Sequence, residues 1–198
     1  MVFPALTGLV AYGTDWTTDL VRFDPPPVGS LIAAFAGGIA LSLVVVSGEE
    51  IGWRGYVLTR LIDSGVPRPV FASGLIWALW HVPLVLAGVY ASGPSPIASS
   101  ALLVVGITAF GYVIARMRLE TGSVWPAIVL HSAWNGMILR GFDPLTTGAG
   151  AMLWVGESGI LTTLALLIAA VVFSRGQWKI LREPPRRVEA PITASSGP

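Results

Sequence analysis

Two adjacent glutamates, Glu49 and Glu50, stand at the end of a long apolar run, with Arg54 four residues beyond the second. The chain has only two histidines, and both lie in apolar sequence: His81 within Trp77-Ala78-Leu79-Trp80-His81-Val82-Pro83, and His131 within Ile128-Val129-Leu130-His131-Ser132-Ala133-Trp134-Asn135. Carboxylates and imidazoles are the side chains that exchange protons most readily at physiological pH once their surroundings adjust them. In a helix Glu50 and Arg54 share one face and can pair, as can His131 and Asn135. Glu49 is rotated by about 100° from Glu50, so the two carboxylates have different surroundings and different roles. With no cysteine in the chain, thiol nucleophiles, disulfides and Cys–zinc sites are excluded.

The elements that carry these residues belong in a membrane. Of the 198 residues, 54% are hydrophobic and only 12% charged, with a mean hydropathy of +0.73. That leaves too little polar sequence for the wetted shell of a soluble domain. Several apolar runs reach the roughly 20 residues that cross a bilayer core of about 30 Å. The net charge of +1 gives no basic patch of the kind that binds nucleic acid. Lys179 is the single lysine among the basic residues. With the Ala/Gly/Val bias, this points to a GC-rich bacterial source and a plasma-membrane location.

The expected fold is all-α, a polytopic transmembrane bundle of about five spanning helices, over residues 29–61, 69–90, 97–115, 123–139 and 158–173. Residues 1–28 read as an N-terminal segment that is either interfacial or the remnant of a truncated span. Its first dozen residues are apolar but too short to cross, and a polar stretch follows from Gly13. Residues 29–182 form the transmembrane domain, and the Pro- and Ser-rich residues 183–198 read as a disordered cytoplasmic tail. If alternate loops face the cytoplasm, that side holds Arg60, Arg68, Arg116, Arg118, Arg175, Lys179, Arg182, Arg186 and Arg187, against Arg22 and Arg140 opposite. The layout thus satisfies the positive-inside rule and places the C-terminus in the cytoplasm.

A charged side chain at a helix centre costs about 2.5–3.5 kcal/mol on insertion scales, so such residues usually face a site or cavity. At a rise of 1.5 Å per residue, Glu49 lies about 16 Å in from Arg60, His81 about 18 Å in from Pro69, His131 about 12 Å and Asn135 about 18 Å in from Ser123. Polar groups from three helices therefore converge on one layer. Each also has a plain structural reading. Glu50 with Arg54 can be an ion pair that braces the helix, a histidine can be a packing residue, and Asn135 can join helices. The tryptophans at 77, 80, 125 and 134 read as packing or interfacial anchors.

Taken in order, these motifs resemble the CPBP (Abi) family of membrane proteases, which includes the CAAX prenyl endopeptidases and bacteriocin-processing enzymes. The pair Glu49-Glu50 with Arg54 matches the first family motif. Trp77 to His81 matches the second, with tryptophan where phenylalanine is commoner, and His131 to Asn135 matches the third. The resemblance covers residues 45–140 and implies an intramembrane endopeptidase. In it Glu49 would be general base on a water held by His81, while His131 and Asn135 would donate to the tetrahedral oxyanion. Glu50 and Arg54 would orient Glu49 and brace the helix.

Glu49, His81 and His131 could also supply three zinc ligands, although the H-E-x-x-H signature of zinc proteases is absent. The metal-free mechanism is preferred over Zn²⁺. The implied partners are a peptide or membrane-protein substrate and the lipid bilayer. Members of the family usually have more spans before the first motif, which bears on the short N-terminal segment. Two other functions fit the same residues: a non-catalytic partner of the same fold, such as an immunity or scaffold protein, and a proton-coupled transporter with a Glu/His relay.

Overall fold

A single helical rod of 36 residues, Val28–Asp63, delivers the two glutamates. The structure, a computed structural model, describes residues 2–18, 22–23, 26–91, 93–148 and 150–175; the 183–198 tail expected to be disordered lies outside them. The rod is α2 (Val28–Glu50), a π-helical stretch (Ile51–Val57) and α3 (Leu58–Asp63). Ahead of it lie α1 (Val2–Thr17) and a two-residue strand β1 (Arg22–Phe23). After it come α4 (Pro69–Leu86), α5 (Pro96–Thr121) and α6 (Trp125–Trp134), which runs on as a second π-helical stretch (Asn135–Phe142). The one-turn helix Asp143–Leu145, strand β2 (Thr146–Thr147), α7 (Ala151–Trp154) and α8 (Ile160–Arg175) complete the described chain. β1 and β2 pair antiparallel, Arg22 opposite Thr147.

Helix boundaries follow local chemistry. Pro69 and Pro96 occupy first-turn positions, where a missing N–H leaves no bond unmade. The Ser95 hydroxyl accepts from the Ala98 amide to cap α5, which ends at Gly122 in the left-handed conformation that glycine tolerates.

The protein is an all-α membrane bundle. Among the described residues, three helices are long and apolar enough to cross: Val28–Asp63, Pro69–Leu86 and Pro96–Thr121. The fourth and fifth expected crossings are shorter. α6 has ten residues before the π stretch, and α8 has 16. α5 is the central helix, with 61% of its most apolar stretch buried against 11% for the rod. Val44 and Val45 on α2, Ile97 on α5 and Ile168 and Val172 on α8 are exposed. Such apolar rows are what a lipid-facing surface requires.

Helices α4 and α5 meet at glycine. A Cβ built on Gly111 would stand 2.9 Å from the Gly74 Cα and 3.1 Å from the Arg54 Nη2. Small residues at this crossing let the two backbones approach, as in other membrane bundles. α1 continues to Thr17 through the expected polar stretch and buries Ala11 and Tyr12 in the core. The Tyr12 ring stacks on Phe142 at 5.1 Å.

Candidate active site

Both π-helical stretches begin at motif residues: one directly after Glu50, the other at Asn135. π geometry is uncommon and recurs at functional sites. Glu50 is fully buried, and so is Arg54. The Arg54 Nη1 donates to the Glu50 Oε1 at 3.0 Å. The guanidinium carbon lies 4.0 Å from the centre of the Trp77 ring, a cation–π position.

The same Glu50 oxygen lies 2.8 Å from the His131 Nδ1. An ionised carboxylate only accepts, so the proton sits on Nδ1 and Nε2 is left as the free ring nitrogen. His81 is held in the same sense by a different acceptor, its Nδ1 lying 2.8 Å from the Trp77 carbonyl oxygen. A carbonyl also only accepts, so the second histidine likewise has its Nε2 free. In its neutral form that atom takes a proton or a hydrogen bond; in the doubly protonated ring it donates one.

His81 and His131 line one small cavity together with Trp77, Tyr90, Phe110, Trp134 and Glu157. Its volume of about 10 Å³ is on the scale of a single water. Both imidazoles stand edge-on to Trp77, at 5.5 and 5.1 Å between ring centres.

The expected set is thus partly assembled. Glu50, Arg54 and His131 are in direct contact, and the two histidines share a cavity. Glu50 forms its bonds with Arg54 and His131. Glu49 itself is half-buried, forms no hydrogen bond with any described residue and is not part of the cavity lining. Asn135 is partly buried, and its Oδ1 has no partner. Among the described residues no three His, Asp or Glu side chains converge into a set that could hold a metal ion. Glu49, His81 and His131 therefore do not fit a zinc site in this arrangement.

A third carboxylate was not anticipated. Glu157, on the turn before α8, is only 5% exposed. Its Oε1 accepts from the Trp134 Nε1 at 2.9 Å, and its Oε2 accepts from the Tyr90 hydroxyl. Burial, and next the charge of Glu157, raise the Tyr90 phenol well above its ordinary range; Glu49 and Asp143 add smaller contributions. In the sequence Glu157 is an isolated loop acid between glycines, with no spacing to connect it with either histidine.

A family model described as type II CAAX prenyl endopeptidase, Rce1-like, matches residues 31–137. The chain belongs to this family. The Rce1-like match takes in every motif residue from Glu49 to Asn135 and leaves α1, Glu157 and α8 outside it. No curated protein and no solved structure matches the chain.

Proposed function

We propose that this Rce1-like chain is an intramembrane endopeptidase that hydrolyses its substrate with a water activated by Glu49 and His81. The observation that carries this reading is the single water-sized cavity shared by two histidines whose Nδ1 protons are both committed. Of the three glutamates, one lines the cavity and two are occupied: Glu50 by Arg54 and His131, and Glu157, in the lining, by Tyr90 and Trp134. Glu49 forms no hydrogen bond with a described residue, though its charge acts on Arg54 and Tyr90. A general base needs that freedom, because a carboxylate already bonded must first give up its donors.

The steps balance without a covalent intermediate. Water held at the His81 Nε2 gives a proton to Glu49 as its oxygen adds to the peptide carbonyl carbon. The oxyanion is met by hydrogen bonds from the His131 Nε2, when that atom carries a proton, and from the Asn135 amide. Glu49 then passes the proton to the leaving nitrogen as the C–N bond breaks. Glu50 and Arg54 keep His131 in place. This mechanism is metal-free. The substrate class is a membrane-held peptide, and a prenylated CAAX C-terminus is the first to test, on the family's description.

The test compares purified wild type with Glu49→Ala on a mixed set of membrane-anchored peptides, prenylated and unprenylated, with new termini read by mass spectrometry. Cleavage by the wild type that disappears in the variant supports the mechanism. Wild-type turnover by Glu49→Ala refutes it.

A further inference from the structure

Glu157 has no part in the mechanism above, yet it joins two walls of the cavity in which that mechanism runs. One of its oxygens holds the hydroxyl of Tyr90, which follows α4, and the other holds the indole of Trp134 at the end of α6. One held ring meets a histidine directly, and the other reaches one through Phe110. The Tyr90 ring centre is 5.5 Å from that of His81. The Trp134 ring lies 5.0 Å from Phe110, whose ring in turn meets His131 edge-on at 6.0 Å.

The turn that presents Glu157 is itself anchored. The Gly156 amide donates to the Tyr12 hydroxyl at 3.0 Å, and the Ser158 hydroxyl donates to the Ala91 carbonyl at 2.5 Å. A carboxylate on a fastened turn that grips two rings fixes the separation of those rings. Displacing a catalytic group by about 1 Å can lower a rate by about 100-fold, so such a fixture matters to turnover.

We propose that Glu157 is a positioning residue of the active site, which ties Tyr90 to Trp134 and so holds His81 and His131 at their working separation. This rests on the protease reading, since the working separation has meaning only for the hydrolytic step. It adds a determinant outside the segment that defines the family, contributed by the turn before α8.

The experiment uses the full chain in detergent, with one membrane-anchored peptide that the wild type cleaves. Glu157→Ala is expected to lower kcat by about 10- to 100-fold with KM within about twofold. Glu157→Gln is expected to recover most of that loss. Its carbonyl oxygen still accepts from Trp134, and its amide N–H can donate to the Tyr90 oxygen. Wild-type kcat in Glu157→Ala overturns the proposal. So does a glutamine variant as damaged as alanine, because the charge rather than the tether would then matter.

If Glu157→Ala does not fold, Tyr90→Phe and Trp134→Phe each remove one tether and are expected to lower kcat in part; unchanged kcat in both overturns the proposal. Amide hydrogen exchange over residues 86–91, measured without substrate, separates the two readings. Faster exchange in Glu157→Ala, restored in Glu157→Gln, supports the tether even if no peptide is cleaved, and the protease reading alone then fails. Unchanged exchange in Glu157→Ala refutes the tether whatever the activity.

Discussion

The His131 Nδ1 lies 2.8 Å from the Glu50 Oε1, joining residues 81 positions apart in the chain. The same oxygen accepts from Arg54 at 3.0 Å. One buried oxygen therefore fixes both the tautomer of a histidine and the position of a guanidinium. The two neighbouring glutamates consequently differ in their bonding: Glu50 is hydrogen-bonded to Arg54 and His131, and Glu49 forms no hydrogen bond with a described residue, a difference that the proposed mechanism assigns to structure and to chemistry.

This division predicts opposite outcomes for two adjacent substitutions. Glu50→Ala leaves the Arg54 charge buried and uncompensated, and breaking such a pair typically destabilises by about 3–5 kcal/mol. Glu49→Ala removes a half-buried side chain with no hydrogen bond, so its stability is expected to stay within about 0.5 kcal/mol of wild type. Its cleavage should nonetheless be abolished. Thermal denaturation in detergent alongside the peptide assay measures both; a strongly destabilised Glu49→Ala would contradict the assignment.

The two histidine-bearing helices predict graded losses of activity. His81→Ala should abolish cleavage, because the water loses its acceptor. His131→Ala and Asn135→Ala should each lower turnover by about 10²–10³-fold, the range for a lost oxyanion donor. Steady-state kinetics on one peptide tests the order; Asn135→Ala more damaging than His81→Ala would reverse the roles.

The metal-free mechanism predicts that chelation leaves cleavage intact. Prolonged treatment with a strong zinc chelator should change wild-type turnover by less than about twofold. Loss of activity that returns with added Zn²⁺ would show that Glu49, His81 and His131 move into a ligand set that the present arrangement does not form.

Much of this site is legible in the sequence because helical spacing encodes it. The Glu50–Arg54 pair follows from a separation of four, and charged or imidazole groups in apolar runs mark the buried layer. What the sequence hides is any contact set by packing between helices. The choice of Glu50 over Glu49 as the partner of His131 depends on the rotation of one helix against another. The π-helical stretches leave no periodicity of their own, and they alter that rotation at the motif residues. Glu157 and Tyr90 are single loop residues brought together by the docking of a turn. α1 extends beyond its apolar stretch, and there the Thr14 and Thr17 hydroxyls donate back to the Val10 and Gly13 carbonyls, which satisfies them within the helix.

The glycine crossing of α4 and α5 predicts a packing defect that reaches the site. A methyl group at Gly111 would press on the Gly74 backbone and on the Arg54 head, which is held by its hydrogen bond to Glu50. Gly111→Ala is expected to destabilise by about 1–3 kcal/mol, the usual cost of overpacking. Gly29, with open space around its Cβ position, provides the control, and Gly29→Ala should not lower the melting temperature.

Asp143, outside the spanning helices, predicts how stability varies with pH. Burial, partly opposed by the hydrogen bond from Tyr12 and reinforced by the charge of Glu157, lifts its carboxyl to about 7. An unfolded aspartate titrates near about 3.9. The folded state thus holds this proton more tightly, and the contribution of Asp143 is most favourable at low pH. It declines as pH rises from about 4 and is lost above about 7. Asp143→Asn keeps an oxygen to accept from Tyr12 but carries no charge at any pH. Relative to wild type, its melting temperature should therefore gain between about pH 4 and pH 7 and hold a constant advantage above that. Melting curves in detergent across this range measure the difference, and a difference independent of pH would show that Asp143 does not change its protonation there.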